Sequence, residues 1–401
     1  MPKCPNTNTR SALSSIATRT SRRFFAGSGN ASEPDGLRVF DLDAGNGAVR
    51  EASRFENARG AIYFALSNDA RFLYAAQAGA VVAAYAVEDG GLRLISEHPC
   101  LCGSTPCYVA VSRAGKAGNS GSAGDSGEPG EFVFFAEYAG ATIGVFRARE
   151  DGSLEGPTHS LKHAGALGPN RMRQEAPHCH CIVQADDGWV FVCDLGLDRV
   201  VAYSFDAASG RLSPGADGTG FVAAPGAGPR HIVFEYCARS AYLLNELDST
   251  LVVLSYKGAG VFEARQTLST LPEGFAGESK AAAVKISPDG EWVLASNRGH
   301  DSIAAFRIGA DGALAAPVIS GLGGRFPRDF EFSPDGRFVV AGHKLSNEIA
   351  VYAFDHESGR LAQAGGAAVE MPMPLCFVFD AAGGAGEGSG AGDALKGGAD
   401  A

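Results

Sequence analysis

The sequence predicts an all-β protein, a seven-bladed β-propeller whose last blade is closed by strands from the two chain ends. Three observations carry this reading. One unit recurs with a period of about fifty residues, in the range of propeller blades. In its best copies a Pro-Asp-Gly turn joins the first two apolar runs, as a short hairpin requires. No stretch of helical periodicity of any length interrupts the pattern.

The unit is an apolar run, a polar turn, a second apolar run, another polar turn and a third strand ending in an aromatic-rich segment. It is plainest from Val284 to Arg307 and from Phe330 to Tyr352, with turns at Pro288-Asp-Gly290 and Pro334-Asp-Gly336. Weaker copies begin near Tyr63, Tyr108, Cys181 and Ile232. The residue closing the second strand then falls at Gln77, Glu137, Asp194, Asn245, Asn297 and His343. These full copies leave a half-copy at each end: Phe24-Phe-Ala-Gly-Ser28 with Leu37-Arg-Val-Phe-Asp41 at the start, and Cys376-Phe-Val-Phe379 at the finish. Pairing first with last strands closes the ring and removes sheet edges that would invite aggregation.

The propeller should therefore occupy residues 23–380. Residues 1–22 form an N-terminal extension outside it, with Lys3, Arg10, Arg19 and Arg22 and no acid. That composition is shared by transit peptides and mis-assigned starts, but there is no apolar core of a secretory signal. The Gly/Ser-rich segment 114–130 replaces a tight hairpin turn in the second blade, and 381–401 is a Gly/Ala-rich tail. Both are expected to be disordered and without catalytic role.

Apolar residues make up 45% of the chain and charged residues 20%, an ordinary balance for a protein with a sizeable interior. A net charge of -11 argues against nucleic acid as a partner, yet leaves room for a local basic pocket. No run reaches the roughly 18–20 apolar residues needed to cross a bilayer, so no membrane partner is expected and the expected location is the cytoplasm. The nine cysteines read as reduced, mostly buried thiols. His178-Cys179-His180-Cys181 resembles a metal cluster, but alternate side chains of a strand point to opposite faces, and no CxxC supplies further ligands. No metal or cofactor is expected.

Strand direction places the loop before each first strand on the same face as the loop between the second and third strands. That face receives Cys107, His180, Arg230 and Arg328, each following a proline or its equivalent, and Asp194, Asn245, Glu246, Asp248, Asn297, Arg298, His300 and Asp301. A guanidinium in the channel is costly to bury unless acids or an anionic ligand meet it. Two or three arginines with planar forks point to a small anionic substrate. The bland alternative is a structural ion network joining Arg230, Arg298, Glu246 and Asp248.

With these residues in place, the sequence resembles the seven-bladed lactonase family. The resemblance rests on Pro177-His-Cys-His180, Gly228-Pro-Arg-His231, Leu244-Asn-Glu-Leu-Asp-Ser249, Ser296-Asn-Arg-Gly-His-Asp-Ser302 and Phe326-Pro-Arg328, and extends from about Phe24 to Asp380. The family includes propeller-type 6-phosphogluconolactonases and a carboxy-muconate cyclase. The resemblance implies a catalytic set of His180, Arg230, Glu246 and Arg298, with Arg328, Asn245, His300, Asp301 and Asp194 binding substrate. Departures from the family pattern are Ala76-Gln77-Ala78, Tyr108 and Cys179.

Lactone hydrolysis needs a water nucleophile, a group to take its proton, and positive charge where the carbonyl oxygen becomes an oxyanion. In this reading Glu246 or His180 activates the water, Arg230 and Arg298 meet the oxyanion, and Arg328 holds a phosphate. A cycloisomerase would use the same groups to bind muconate carboxylates and deliver a proton to carbon. A non-catalytic interaction platform ranks third, because it would want an apolar rim where these loops are small and polar. The oligomeric state stays open.

Overall fold

The computed structural model describes residues 20–380, apart from 33, 57, 90, 101–102, 114–129, 217–219 and 236–238. Residues 1–19 of the expected N-terminal extension, most of the Gly/Ser segment and the C-terminal tail thus lie outside the described residues, while Ser21 and Arg22, expected in that extension, already belong to the strand Ser21–Ser28. Within them the chain is strand and turn without helix. Seven antiparallel sheets follow one another, six formed by consecutive strands and the seventh by both chain ends. In that last sheet Pro374–Phe379 is the innermost strand and pairs with Ser21–Ser28, bringing Phe379 opposite Phe24 and Cys376 opposite Gly27. The innermost strands of successive blades touch all the way round, from Ala61–Leu66 through Pro327–Phe332 and back by Pro374–Phe379. Closure by both ends is therefore as the sequence predicts.

Each blade carries a fourth, outermost strand that the three-strand unit did not include. Val49–Phe55 and Val261–Ser269 are examples, and in both burial alternates with exposure. Their Glu, Arg and Thr residues dilute the apolar signal, which is how a strand with one wet face reads. Middle strands behave oppositely. Val190–Asp194 and Phe338–His343 are buried at every residue, because both faces of the blade are covered.

The core is seven layers between neighbouring blades. Side-chain alternation assigns each residue to one of them. In Phe132–Glu137, Phe132, Phe134 and Ala136 pack toward the third blade, while Val133 and Phe135 pack toward the first. A core divided in this way lets a ring of thin sheets be solid without a central hydrophobic ball. The hairpins joining first and second strands are closed as the motif predicts: Gly290 and Gly336 sit at φ +73° and +74°, a region a side chain disfavours. Ser287 and Ser333 hold the Asp289 and Asp335 carboxylates across the same turns.

Candidate active site

The site begins with a bulge repeated in every blade. Where the innermost strand enters, its register against its antiparallel neighbour slips. The slip lies between Ala61 and Tyr63, Pro106 and Tyr108, Cys179 and Cys181, Pro229 and His231, and Pro327 and Asp329. The fifth blade slips between Ala281 and Val284, and the closing blade at Gly27/Ser28 opposite Leu375. The extra residue is thereby Ile62, Cys107, His180, Arg230, Arg328 or Leu375. A bulge re-aims the side chain it carries, and here all six line one pocket at the channel mouth, a space of about 210 Å³. Tyr63, His231 and Asp329, each directly after its bulge, line it one level deeper. The predicted equivalence of Cys107, His180, Arg230 and Arg328 is thus a shared bulge at the start of the strand.

Arg230 is 2% exposed, and its charge is met by Glu246: Nε donates to Oε2 at 3.0 Å. Its Nη1 also donates to the Ala282 carbonyl and to His231 Nε2, the latter at 3.0 Å. Arg298 Nη2 lies 3.0 Å from the same Glu246 oxygen and donates to the Ala281 carbonyl. Arg173, from the connection between the second and third blades, reaches Glu246 Oε1 at 2.6 Å and donates to the Tyr138 hydroxyl. Burial alone would raise the Glu246 pKa, but Arg298, Arg230 and Arg173 outweigh it and hold the carboxyl down to about 2. A carboxylate gripped on both oxygens by three guanidiniums has little affinity for a proton. Of the two bases expected from sequence, Glu246 therefore has the geometry of an anchor.

His180 is buried, and among the described residues its Nδ1 has no hydrogen-bond partner. Burial and then the charges of Arg230, Arg328 and Arg298 keep its pKa well below the ordinary value, so the imidazole is neutral. His231 is held neutral in the same way, by burial first and Arg230 next. The His180 and His231 rings meet edge to face at 5.3 Å, and Tyr63 stacks on Tyr108 at 4.0 Å behind them.

Arg328 differs from its three neighbours. Among the described residues no carboxylate lies within ion-pair distance of its guanidinium and nothing accepts a hydrogen bond from it, although it faces the pocket. Lys344, on the same rim, stands 5.8 Å from the centre of the Phe326 ring, over which Arg298 also sits. Arg173, Arg230 and Arg298 thus bond Glu246, with Arg328 and Lys344 near them and Asp329 in the same pocket. The cations are in excess, as an anion site requires.

Of the predicted residues, His180, Arg230 and Arg328 line the pocket itself, Glu246 and Arg298 join it through the Glu246–Arg230 ion pair, and the rest stand apart from it. Asn245 donates to Thr250 within its own blade, and His300 bonds Ser302. Asp301 accepts from Gly299 and from Phe326, fastening the loop that carries the Phe326 ring. Asp194 is fully buried: it takes the backbone N–H groups of His178 and Leu197 and the Nδ1 proton of His163 at 2.7 Å. Asp194 and Asn245 both close a second strand, as predicted, and strand alternation turns that residue into the blade while its successor faces the funnel. Glu246, Arg298, Tyr138 and Lys344 are those successors. His163, Cys179 and Asp194 come close enough to share an ion. The Tyr203 hydroxyl donates to His163 Nε2 at 2.8 Å, so the cluster's hydrogen bonds are complete as they stand.

Sequence reasoning missed Arg173, His231, Asp329 and Lys344. His231 and Asp329 each follow an arginine it had already chosen, and Lys344 follows a chosen strand end. Arg173 belongs to an irregular connection with no counterpart in other blades, so no repeat could reveal it.

Comparison with known proteins identifies the family of the chain. Residues 23–379 match the family described as Lactonase, 7-bladed beta-propeller. The 6-phosphogluconolactonase of Bacillus subtilis is 32% identical over 352 residues, covering 86% of this chain and 94% of that protein. A periplasmic gluconolactonase from Pseudomonas aeruginosa superposes with TM-score 0.80 at 27% identity, covering 90% of this chain and 99% of the other. A Lactobacillus plantarum protein superposes with TM-score 0.78 at 28% identity, over 90% and 99% of the two chains. The chain belongs to the seven-bladed β-propeller lactonase family.

Proposed function

We propose that this protein hydrolyses a phosphorylated sugar-acid lactone, with 6-phosphogluconolactone as the substrate and 6-phosphogluconate as the product. One observation carries the choice of a phosphorylated substrate: Arg328 faces the pocket without an acid of its own, beside the cationic rim of Lys344. An anion with two or three oxygens would meet that unpaired fork, whereas a neutral lactone would leave it bare. Arg230 and Arg298, held rigid by Glu246 and by backbone carbonyls, are fixed donors for the charge that develops on the lactone carbonyl. Neutral His180 hydrogen-bonds the substrate through its unpartnered Nδ1. The chemistry uses only side chains and water.

The test is turnover by purified protein of freshly made 6-phosphogluconolactone, gluconolactone and a carboxy-muconate in parallel, each corrected for the spontaneous reaction. The expected result is a kcat/KM for the phosphorylated lactone at least ten times that for gluconolactone. Equal values for the two lactones would refute the phosphate assignment. Turnover of the muconate alone would show that the same clamps serve a cycloisomerase.

A further inference from the structure

Resting on the hydrolase reading above, we infer that Asp329 is the catalytic residue that takes the proton from the attacking water and returns it to the leaving ring oxygen. Asp329 lines the pocket with Arg230, Arg328 and His180, one position beyond the bulge that presents Arg328. It is 2% exposed, and among the described residues neither carboxylate oxygen has a hydrogen-bond partner. A buried carboxylate without a hydrogen bond costs stability, and a functional role is one reason such a group is kept. The facing groups are few. Lys285, on the innermost strand of the fifth blade, lies 3.9 Å from Oδ1 but is committed to Glu331 at 2.8 Å. Arg230 shares the pocket with it, while Tyr63 and Cys376 face it from the first and closing blades.

The other titratable groups of the pocket are excluded one by one. Protonating His180 or His231 would add a cation to a buried arginine cluster. Burial lifts the Cys107 thiol to about 12 and the Tyr63 phenol higher still. Glu246 is fully engaged. For Asp329, burial pushes the pKa up to about 6, Lys285 pulling the other way, so it is ionised at neutrality and readily protonated. The step balances. Water oxygen bonds to the lactone carbonyl carbon, its proton passes to Asp329, and the carbonyl electron pair moves onto oxygen beside Arg230. Collapse re-forms the carbonyl and breaks the bond from that carbon to the ring oxygen, which leaves with the proton from Asp329. The product acid then ionises and releases one proton.

The test is the dependence of kcat on pH from 5 to 7.5 for wild type, Asp329→Asn and Lys285→Met, with 6-phosphogluconolactone and spontaneous hydrolysis subtracted. Wild-type kcat should fall below about pH 6, because the base must be ionised. Asp329→Asn should lose about 10²- to 10⁴-fold in kcat, keep KM within a few-fold, and lose the acid limb. Its Tm at pH 8 should equal or exceed that of wild type, since Lys285 keeps Glu331 and a charge that burial disfavours is gone. Lys285→Met removes the cation that lowers the Asp329 pKa, so its acid limb should move to higher pH, a result the substrate's own phosphate cannot produce. An active wild type with a fully active Asp329→Asn, or a limb that Lys285→Met leaves in place, overturns the role of Asp329 alone. A wild type inactive on the lactone overturns the hydrolase reading and this inference with it.

Discussion

Glu246→Gln keeps the side chain's shape and removes the charge on which Arg230, Arg298 and Arg173 converge at 3.0, 3.0 and 2.6 Å. At an effective dielectric of about 20, one such pair is worth about 4 kcal/mol of attraction at about 4 Å. Burying the carboxylate offsets much of that, and Arg173 is partly exposed, so its pair adds only about 0–1 kcal/mol. Removing one partner of a buried pair leaves the other charge uncompensated, at a cost of about 3–5 kcal/mol, and two guanidiniums here are buried. The amide N–H groups of Gln would also point donors at donors. We therefore expect Glu246→Gln to lose about 3–5 kcal/mol in equilibrium urea unfolding at pH 7. The Glu246 pKa falls on folding, so its stabilisation is complete above about 4.5 and is lost as pH drops toward about 2. The gap between wild type and variant should close over that interval. Inorganic phosphate, meeting freed cations, should stabilise the variant more than the wild type. Activity should fall through misplaced arginines while the acid limb of the pH profile survives. A variant within about 1 kcal/mol of wild type, or one that loses the acid limb, would refute the anchor role.

Three further outcomes are expected. Arg328→Ala should raise KM for 6-phosphogluconolactone about tenfold or more with kcat little changed, the signature of lost uniform binding, and should narrow the preference over gluconolactone. Cys179→Ser should retain activity and chelators should leave turnover unchanged, since His163 and Asp194 already satisfy each other; metal-dependent turnover would contradict this. Replacing 114–130 with a short Pro-Asp-Gly turn should leave kcat/KM within a few-fold, because Val111 and Val133 pair at the far end of the strands whose other end carries Pro106 and Glu137. Loss of activity in a folded variant would place the site on the opposite face.

The repeat was legible because propeller strands are buried on both sides and their turns are conformationally demanding. Val284 to Arg307 and Phe330 to Tyr352 declare their hairpins through Pro-Asp-Gly and their middle strands through unbroken apolar runs. The outermost strands were not legible: a sequence such as Val49–Phe55, half wet and rich in Arg and Glu, looks like a loop until a neighbour pairs with it.

At the site, sequence by itself determined the ring, its closure, and the gathering of Arg230, Glu246, Arg298 and Arg328 on one face, because strand direction and repeat phase fix which loops meet. Tertiary structure decided what each of them faces. A one-residue bulge sends Arg328 and Asp329 into the same pocket, and a single step along a strand turns Asn245 into the blade and Glu246 into the funnel. Whether a carboxylate is an anchor or a base depends on how many cations come within about 3 Å of it, a count set by chains distant in sequence. Glu246 has three, drawn from 173, 230 and 298, while Asp329 has none that close among the described residues, its nearest being Lys285 at 3.9 Å, which pairs with Glu331 instead. Both side chains end in a carboxylate; the surrounding charges divide their roles.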